Sequence, residues 1–445
     1  MASDKRYEIG ACLMTQPFRL NMARQIDSLI KSGPKLVWII NIAFILRIAC
    51  SVLIQIVATR RGTVCLFGDT PIYWEYAKSI ANGTTYVVYQ WDVPHYALRT
   101  PGYPAWLAGW IAIFGEWALP IRIGQSILSV CGILWLYKLA KVVGFSEQSA
   151  RWSSTFLAFD PFQIVSTPLL LTESIFTPLL VLFVLVWVKA LKSIQNLSLI
   201  KHNYFHYILL GVLQGVLTLI RPAWLPFIAI LDLSFLWLIS SQKHGLLVLA
   251  SLLLIQAGWA LPIVPWMARN ESVIGRTSLG GTWGGASLYD GLQPTATGSS
   301  DMSFVADLEY RDLSETAQDD LWKFLSYQAI QDNPNRIARL AIQKQIRFWS
   351  AWPNDSAKVP LVVKATCLLI VWPVWGLMLL GFWKNLHQRM VFWVLSPLFF
   401  SALMHLLFVG SSRYRLAVIL PAMILTGEGF TRILRIAFKR SPELN

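Results

Sequence analysis

Apolar runs long enough to cross a bilayer recur along almost the whole chain, with charge confined to the gaps between them. A helix needs roughly 20 apolar residues to span the hydrocarbon, and residues 36–58, 119–142, 246–266 and 359–383 reach or exceed that length. Backbone in lipid must satisfy its own polar groups, so such runs fold as helices. Only 14% of residues are charged and 55% are hydrophobic. A soluble domain carries about 25% charge, so the fold class is an all-α polytopic membrane protein. The formal charge of +14 is not a nucleic-acid patch. Its Lys and Arg gather in alternate gaps, as the positive-inside rule requires. Many of the 21 Trp stand at run ends, where indoles favour the headgroup zone.

Taken in order, the runs predict about ten spans: 36–58, 119–142, 150–170, 172–188, 205–220, 223–239, 246–266, 359–383, 390–408 and 416–436. The third is interrupted by proline. The basic segment 1–35 and the tail 437–445 fall on the cytoplasmic side. Residues 36–266 form an N-terminal helical module and 359–436 its C-terminal helices. Two large segments face outward. The first, 59–118, holds a short amphipathic helix over 72–80, stopped by Asn82-Gly83. Its apolar stretch 104–115 is too short to span and is predicted to lie along or dip into the interface. The second, 267–358, opens with the Gly-rich stretch 280–285, which reads as loop. Its later part places Ile337, Leu340, Ala341, Lys344 and Phe348 at helical spacing, which predicts an amphipathic helix on the membrane surface.

The five cysteines show no Cys-x-x-Cys spacing, no His-Glu-x-x-His is present, and the histidines form no cluster. The polar outliers share a side. Asp69, Glu75, Arg99, Asp160, Glu173, Arg221, Arg269, Arg413 and Arg415 all fall at or just beyond outer helix ends. Charge at membrane depth is costly and tends to face a cavity or a partner. One reading is a single cavity at that level; the other is that each residue snorkels or caps a helix independently. Asp69 has the same two readings, a general base or the N-cap of the helix over 72–80. An acid followed by a cation at one interface suggests chemistry on an anionic, lipid-linked substrate. Arg47, alone in the first span, reads as a structural partner of another helix.

Gly68-Asp69 with Tyr73 and Ala77, then Asn82-Gly83, then Arg99-Thr100-Pro101-Gly102-Tyr103-Pro104 resembles the first outer loop of the GT-C integral-membrane glycosyltransferases. Leu171-Thr172-Glu173, Pro265-Trp266-Met267-Ala268-Arg269-Asn270 and Gly410-Ser411-Ser412-Arg413-Tyr414-Arg415-Leu416 look like further blocks of that superfamily, in the same order. The resemblance covers roughly residues 36–435. Its branch is similar to the bacterial protein mannosyltransferases and lipid A aminoarabinose transferases.

The resemblance implies a GT-C-like bundle that moves a sugar from a polyprenyl-phosphate donor to an acceptor, a glycan, lipid or protein, outside a bacterial inner membrane. It implies Asp69 as the base in an inverting displacement. Arg99, Arg413, Arg415 and Arg269 are then candidates for the donor phosphate, because Arg forks match phosphate oxygens. Glu75, Tyr103, Glu173 and Tyr414 are candidates for positioning sugar or acceptor. Several relatives have two adjacent acids in this loop. Here Thr70 follows Asp69, so a divalent metal would need Glu75 or another acid. Two other readings stay open: a transporter or flippase of lipid-linked sugars, and a non-catalytic lipid-binding scaffold. A transporter predicts polar residues at mid-membrane, whereas the charges here gather at one face.

Overall fold

The computed structural model describes residues 33–90, 93–195, 204–239, 245–307, 313–354 and 359–439; most of the basic N-terminal segment and the last six residues lie outside them. The first apolar run forms α1 (Leu36–Arg60), whose outer face exposes Val37, Ile45 and Leu53, as lipid contact requires. Its inner stripe carries Arg47, fully buried. The guanidinium donates to Ser129 Oγ at 2.9 Å and to the carbonyls of Leu157 and Ala158, each at 3.1 Å. Arg47 therefore ties three helices together, as its lone position in the run suggested.

After α1, the first outer segment folds as α2 (Thr70–Ala81), a two-stranded antiparallel hairpin β1 (Val88–Gln90) and β2 (Val93–His95), and α3 (Gly102–Phe114). α2 ends at Asn82, with Gly83 at φ 65°, the left-handed turn that glycine takes without a Cβ penalty. The return spans follow: α4 (Ala118–Val143), α5 (Glu147–Ala158), α6 (Pro161–Ser166), α7 (Glu173–Gln195), α8 (Tyr204–Ile220), α9 (Phe227–Ile239) and α10 (Gly245–Ile274). α7 is the central pillar, with Phe183, Val184, Trp187 and Val188 all fully buried. α8 and α10 approach so closely that a Cβ on Gly211 would lie 1.9 Å from the Ile255 carbonyl oxygen, and one on Gly258 would lie 2.2 Å from that of Ile208.

The second outer segment is helical: α11 (Gly284–Leu292), α12 (Glu315–Asp332) and α13 (Pro334–Phe348). The chain finishes through α14 (Leu361–Trp383), α15 (Arg389–Met404), α16 (Ser412–Val418) and α17 (Met423–Lys439). Among the described residues, five helices are long and apolar enough to cross a membrane. α16 and the helix after it pass the same length and hydropathy criteria only when taken together, and the pair is bent by 59°, as a broken span or a re-entrant loop is. Three shorter apolar helices accompany them.

Four expectations change. The third apolar run is not one helix: α5 stops at Ala158 and the chain restarts as α6, with Asp160 accepting from the amides of Phe162 and Gln163 at 2.9 and 3.2 Å. Asp160 is a helix cap. The Gly-rich stretch is not only loop, because α11 begins inside it. A Cβ on Gly285 would lie 2.1 Å from the Asp319 carbonyl oxygen, so that glycine serves the close crossing of α11 and α12. The α13 face read as membrane-binding instead packs on protein. Leu340, Lys344 and Phe348 are buried, while Ile342 and Ile346 point outward. The hairpin at residues 88–95 was not foreseen; its strands are three residues each.

Candidate active site

Asp69 stands immediately before α2, in the position of an N-cap, but its carboxylate makes no capping hydrogen bond. Its backbone is helical, φ −78° and ψ −24°, whereas a capping residue has an extended backbone that folds its side chain onto the helix end. The cap reading is therefore set aside. Pro71 in the first turn contributes no N–H. The Thr70 hydroxyl instead anchors this corner by donating to the Leu170 carbonyl at 3.1 Å. The Asp69 side chain stays 41% exposed and faces two cations.

Arg413, in the first turn of α16, brings Nη1 and Nη2 each 3.5 Å from Asp69 Oδ2. Arg99 brings Nη2 to 3.7 Å from Asp69 Oδ1. Both distances exceed the 2.7–2.9 Å of a tight charge-assisted bond, so oxygen lone pairs of Asp69 remain open to a ligand. The Arg413 fork closes on a different acid. Nε donates to Glu173 Oε1 at 2.6 Å and Nη2 to Oε2 at 3.2 Å. Glu173, at the start of α7, is almost fully buried. Arg221, just past α8, places Nη1 3.2 Å from Glu173 Oε1. That pair lacks hydrogen-bond alignment, and the N–H is buried without an acceptor. Arg221 also stands over the rings of Phe176 and Tyr414, each at 5.5 Å.

Five charged side chains from five separated stretches thus meet at one level: Asp69, Arg99, Glu173, Arg221 and Arg413. These five are linked to one another by charge contacts, and Glu173 and Arg413 among them also line a cavity. The other outer charges have partners of their own. Arg415 is buried and donates to the Phe348 and Ser350 carbonyls at 2.8 and 2.7 Å, so its place is in the joint between α13 and α16. Arg269 donates to the carbonyls of Tyr96 and Tyr86 at 2.7 and 3.0 Å and braces the hairpin. Glu75 pairs with Lys78 at 2.8 Å on an exposed part of α2. Tyr103 is buried, accepts from Gln125 at 3.0 Å and packs edge-on against Tyr73. Tyr414 stacks on His405 at 4.4 Å and neighbours the cluster through Arg221. Arg221 was visible in sequence only as one polar outlier among nine; its pairing with Glu173 comes from the fold.

A cavity of about 150 Å³ opens beside Arg413. Glu173, Arg413, Arg415 and Ser412 are among its polar lining, and Phe67, Phe162, Leu169 and Trp352 contribute apolar walls. The arrangement suits an elongated apolar molecule with an anionic head. It does not suit a divalent metal at Asp69. The flanking groups are guanidinium cations, Glu173 is engaged by Arg413, and among the described residues no group of three or more His, Cys, Asp or Glu is placed to hold an ion.

No family model matches the sequence, and no curated protein matches it. Among solved structures, the chain is similar to the oligosaccharyltransferase of Archaeoglobus fulgidus in its apo form, with 13% identity and a TM-score of 0.50 over 92% of this chain and 53% of that one. The likeness is one of fold, an all-helical membrane-type architecture. Structures of that archaeal enzyme with a tethered acceptor peptide containing the NVT sequon (14% identity, TM-score 0.48, 92% and 51% covered) and with an inhibitory peptide and a dolichol-phosphate (13%, 0.46, 92% and 52%) are similar over the same span. The chain described here extends over about half the length of the oligosaccharyltransferase.

Proposed function

We propose that this protein is a membrane glycosyltransferase that takes a sugar from a polyprenyl-phosphate donor and passes it to an acceptor at the outer membrane face. The observation that carries the reading is the uncapped, half-exposed Asp69 carboxylate facing Arg99 and Arg413, with Arg413 also at the polar end of an apolar cavity. The GT-C-type fold supports it.

In the proposed reaction the acceptor hydroxyl oxygen attacks the anomeric carbon from the face opposite the phosphate. A new C–O bond forms as the bond from that carbon to the phosphate oxygen breaks, so the anomeric centre inverts. The proton passes to Asp69, and polyprenyl phosphate leaves with the electron pair. Charge builds on phosphate oxygens during the step, where preorganised donors are most effective. Arg413 and Arg99 supply those donors, with the unaligned N–H of Arg221 behind them. Glu173 holds the Arg413 fork in place, and the apolar walls at Phe162, Leu169 and Trp352 receive the first isoprene units.

The branch nearest bacterial protein mannosyltransferases and lipid A aminoarabinose transferases, a bacterial inner-membrane location with the site facing the periplasm, and cytoplasmic termini complete the proposal. Its sidedness follows from the basic gaps and tails.

The test is transfer of radiolabelled sugar from polyprenyl-phosphate donors in proteoliposomes, with wild type beside Asp69→Asn. Transfer by wild type that collapses in the folded variant is the expected result. Equal transfer by both removes Asp69 from the chemistry. Donor scrambling across the bilayer without transfer favours the flippase. The structure gives that alternative little support, because the buried mid-helix Arg47 is engaged by protein acceptors.

A further inference from the structure

Arg99 is carried by a strap, residues 95–99, in which successive backbone polar groups are bonded to other parts of the chain. The Tyr76 hydroxyl donates to the His95 carbonyl at 2.9 Å and accepts from the Leu98 amide at 3.2 Å. Arg269 donates to the Tyr96 carbonyl, and the Thr282 amide donates to the Ala97 carbonyl at 2.8 Å. The Tyr86 hydroxyl donates to the Arg99 carbonyl at 3.0 Å. The two amides in the middle share one acceptor. Tyr96 N–H donates to Glu315 Oε1 at 2.9 Å and Ala97 N–H to Glu315 Oε2 at 3.1 Å. The Thr282 hydroxyl donates to the same carboxylate at 2.8 Å. Glu315 is buried in the first turn of α12, about 220 residues away from the strap in sequence. Trp283, next to Thr282, lies against the Arg99 guanidinium at 4.5 Å.

Burying a carboxylate is costly unless its oxygens are fully bonded, and this one is bonded by the strap and by the residue beside Trp283. We infer that Glu315 is a positioning residue for the anion site: it holds the strap and the Trp283 platform together so that Arg99 is aimed at Asp69 and at a phosphate bound beside it. Docking of α12 and strength of phosphate binding are then one linked event. The inference rests on the functional reading above. It gives the second outer segment a part in completing the donor site.

The experiment measures binding of farnesyl monophosphate, a soluble prenyl phosphate, to the full chain in lipid nanodiscs by calorimetry. Arg99→Ala is expected to weaken binding by about tenfold, the loss of one charge-assisted bond. Glu315→Gln replaces one acceptor oxygen with a donor NH₂ and is expected to weaken binding by a similar factor. The deciding measurement is the double variant, expected to bind no more weakly than Arg99→Ala alone, since Glu315 acts through Arg99. Additive losses, or binding by Glu315→Gln equal to wild type, overturn the inference. If Glu315→Gln does not fold, Trp283→Leu leaves the carboxylate network in place and carries the same cycle with the same two outcomes. Wild type that binds no prenyl phosphate overturns the functional reading and this inference together. Wild-type binding that ignores Glu315 and Trp283 overturns the inference alone.

Discussion

Arg413 and Arg415 are two residues apart and have opposite duties. Arg413 reaches two carboxylates with a planar fork; a lysine supplies one point charge in its place. Arg413→Lys is therefore expected to raise the donor KM by about tenfold or more while the protein stays folded, as loss of a charge-assisted bond implies. Steady-state transfer kinetics check this. Arg415 satisfies the Phe348 and Ser350 carbonyls and lies 4.8 Å from the Trp375 ring. Arg415→Met should leave those carbonyls short of donors and cost about 1–3 kcal/mol of stability. A lowered thermal midpoint in detergent is the expected result, and an unchanged midpoint with a raised KM would return Arg415 to the phosphate. Sequence alone could place both arginines at a helix end. It could not separate them, because the acceptors that divide their roles lie 240 and 67 residues away.

The elements around the site are joined by small residues as well as by charge. A Cβ on Gly102 would lie 2.5 Å from the Leu219 carbonyl carbon, so the start of α3 rests directly on the outer end of α8, next to Arg221. Gly285 plays the same part between α11 and α12. Gly285→Val is expected to separate those helices, move Trp283 from Arg99 and weaken prenyl phosphate binding, while α1 to α10 keep their packing. Binding together with limited proteolysis, cutting within residues 276–354 and sparing the spans, checks it. The long helices and the stop at Asn82-Gly83 were legible because apolar length and a glycine turn are local signals. The start of α11 was not. Adjacent glycines read as loop until the Asp319 backbone is seen against them. The hairpin was hidden for a related reason: three-residue strands carry too little alternation to register.

Over the whole molecule, the second outer segment grips both cations that face Asp69. α12 holds the strap of Arg99, and α13 holds the stretch before Arg413. In α13, Lys344 Nζ donates to the Leu406 carbonyl at 3.2 Å, and Arg347 donates to that of Gly410 at 3.0 Å. Burial lowers the Lys344 ammonium to about 8 from its ordinary 10.5. The folded protein thus binds fewer protons than the unfolded chain between about pH 8 and 10.5, so this group's contribution to stability rises with pH across that window and is lost as pH falls through 8. Lys344→Met should abolish that part of the pH dependence, which unfolding of the two proteins at pH 7.5 and 10 would reveal. An identical pH profile would show that Lys344 does not titrate there. The apolar runs were legible from hydropathy, but not their lengths as helices: of about ten expected spans, five are long enough to cross among the described residues, beside one bent pair and three shorter apolar helices. Asp160 turns the third run into two helices, and the last run folds as a helix pair bent by 59°.

The strap also dictates when the protein becomes competent during its own synthesis. Asp69 emerges from the ribosome early, yet the carboxylate that fastens Arg99 is made about 220 residues after the strap, and Arg413 arrives 344 residues after Asp69. A nascent chain stalled within the first spans carries the proposed base with neither cation mounted. On the proposed function, unfinished or prematurely terminated copies are expected to transfer no sugar, because assembly of the site waits for the end of the chain.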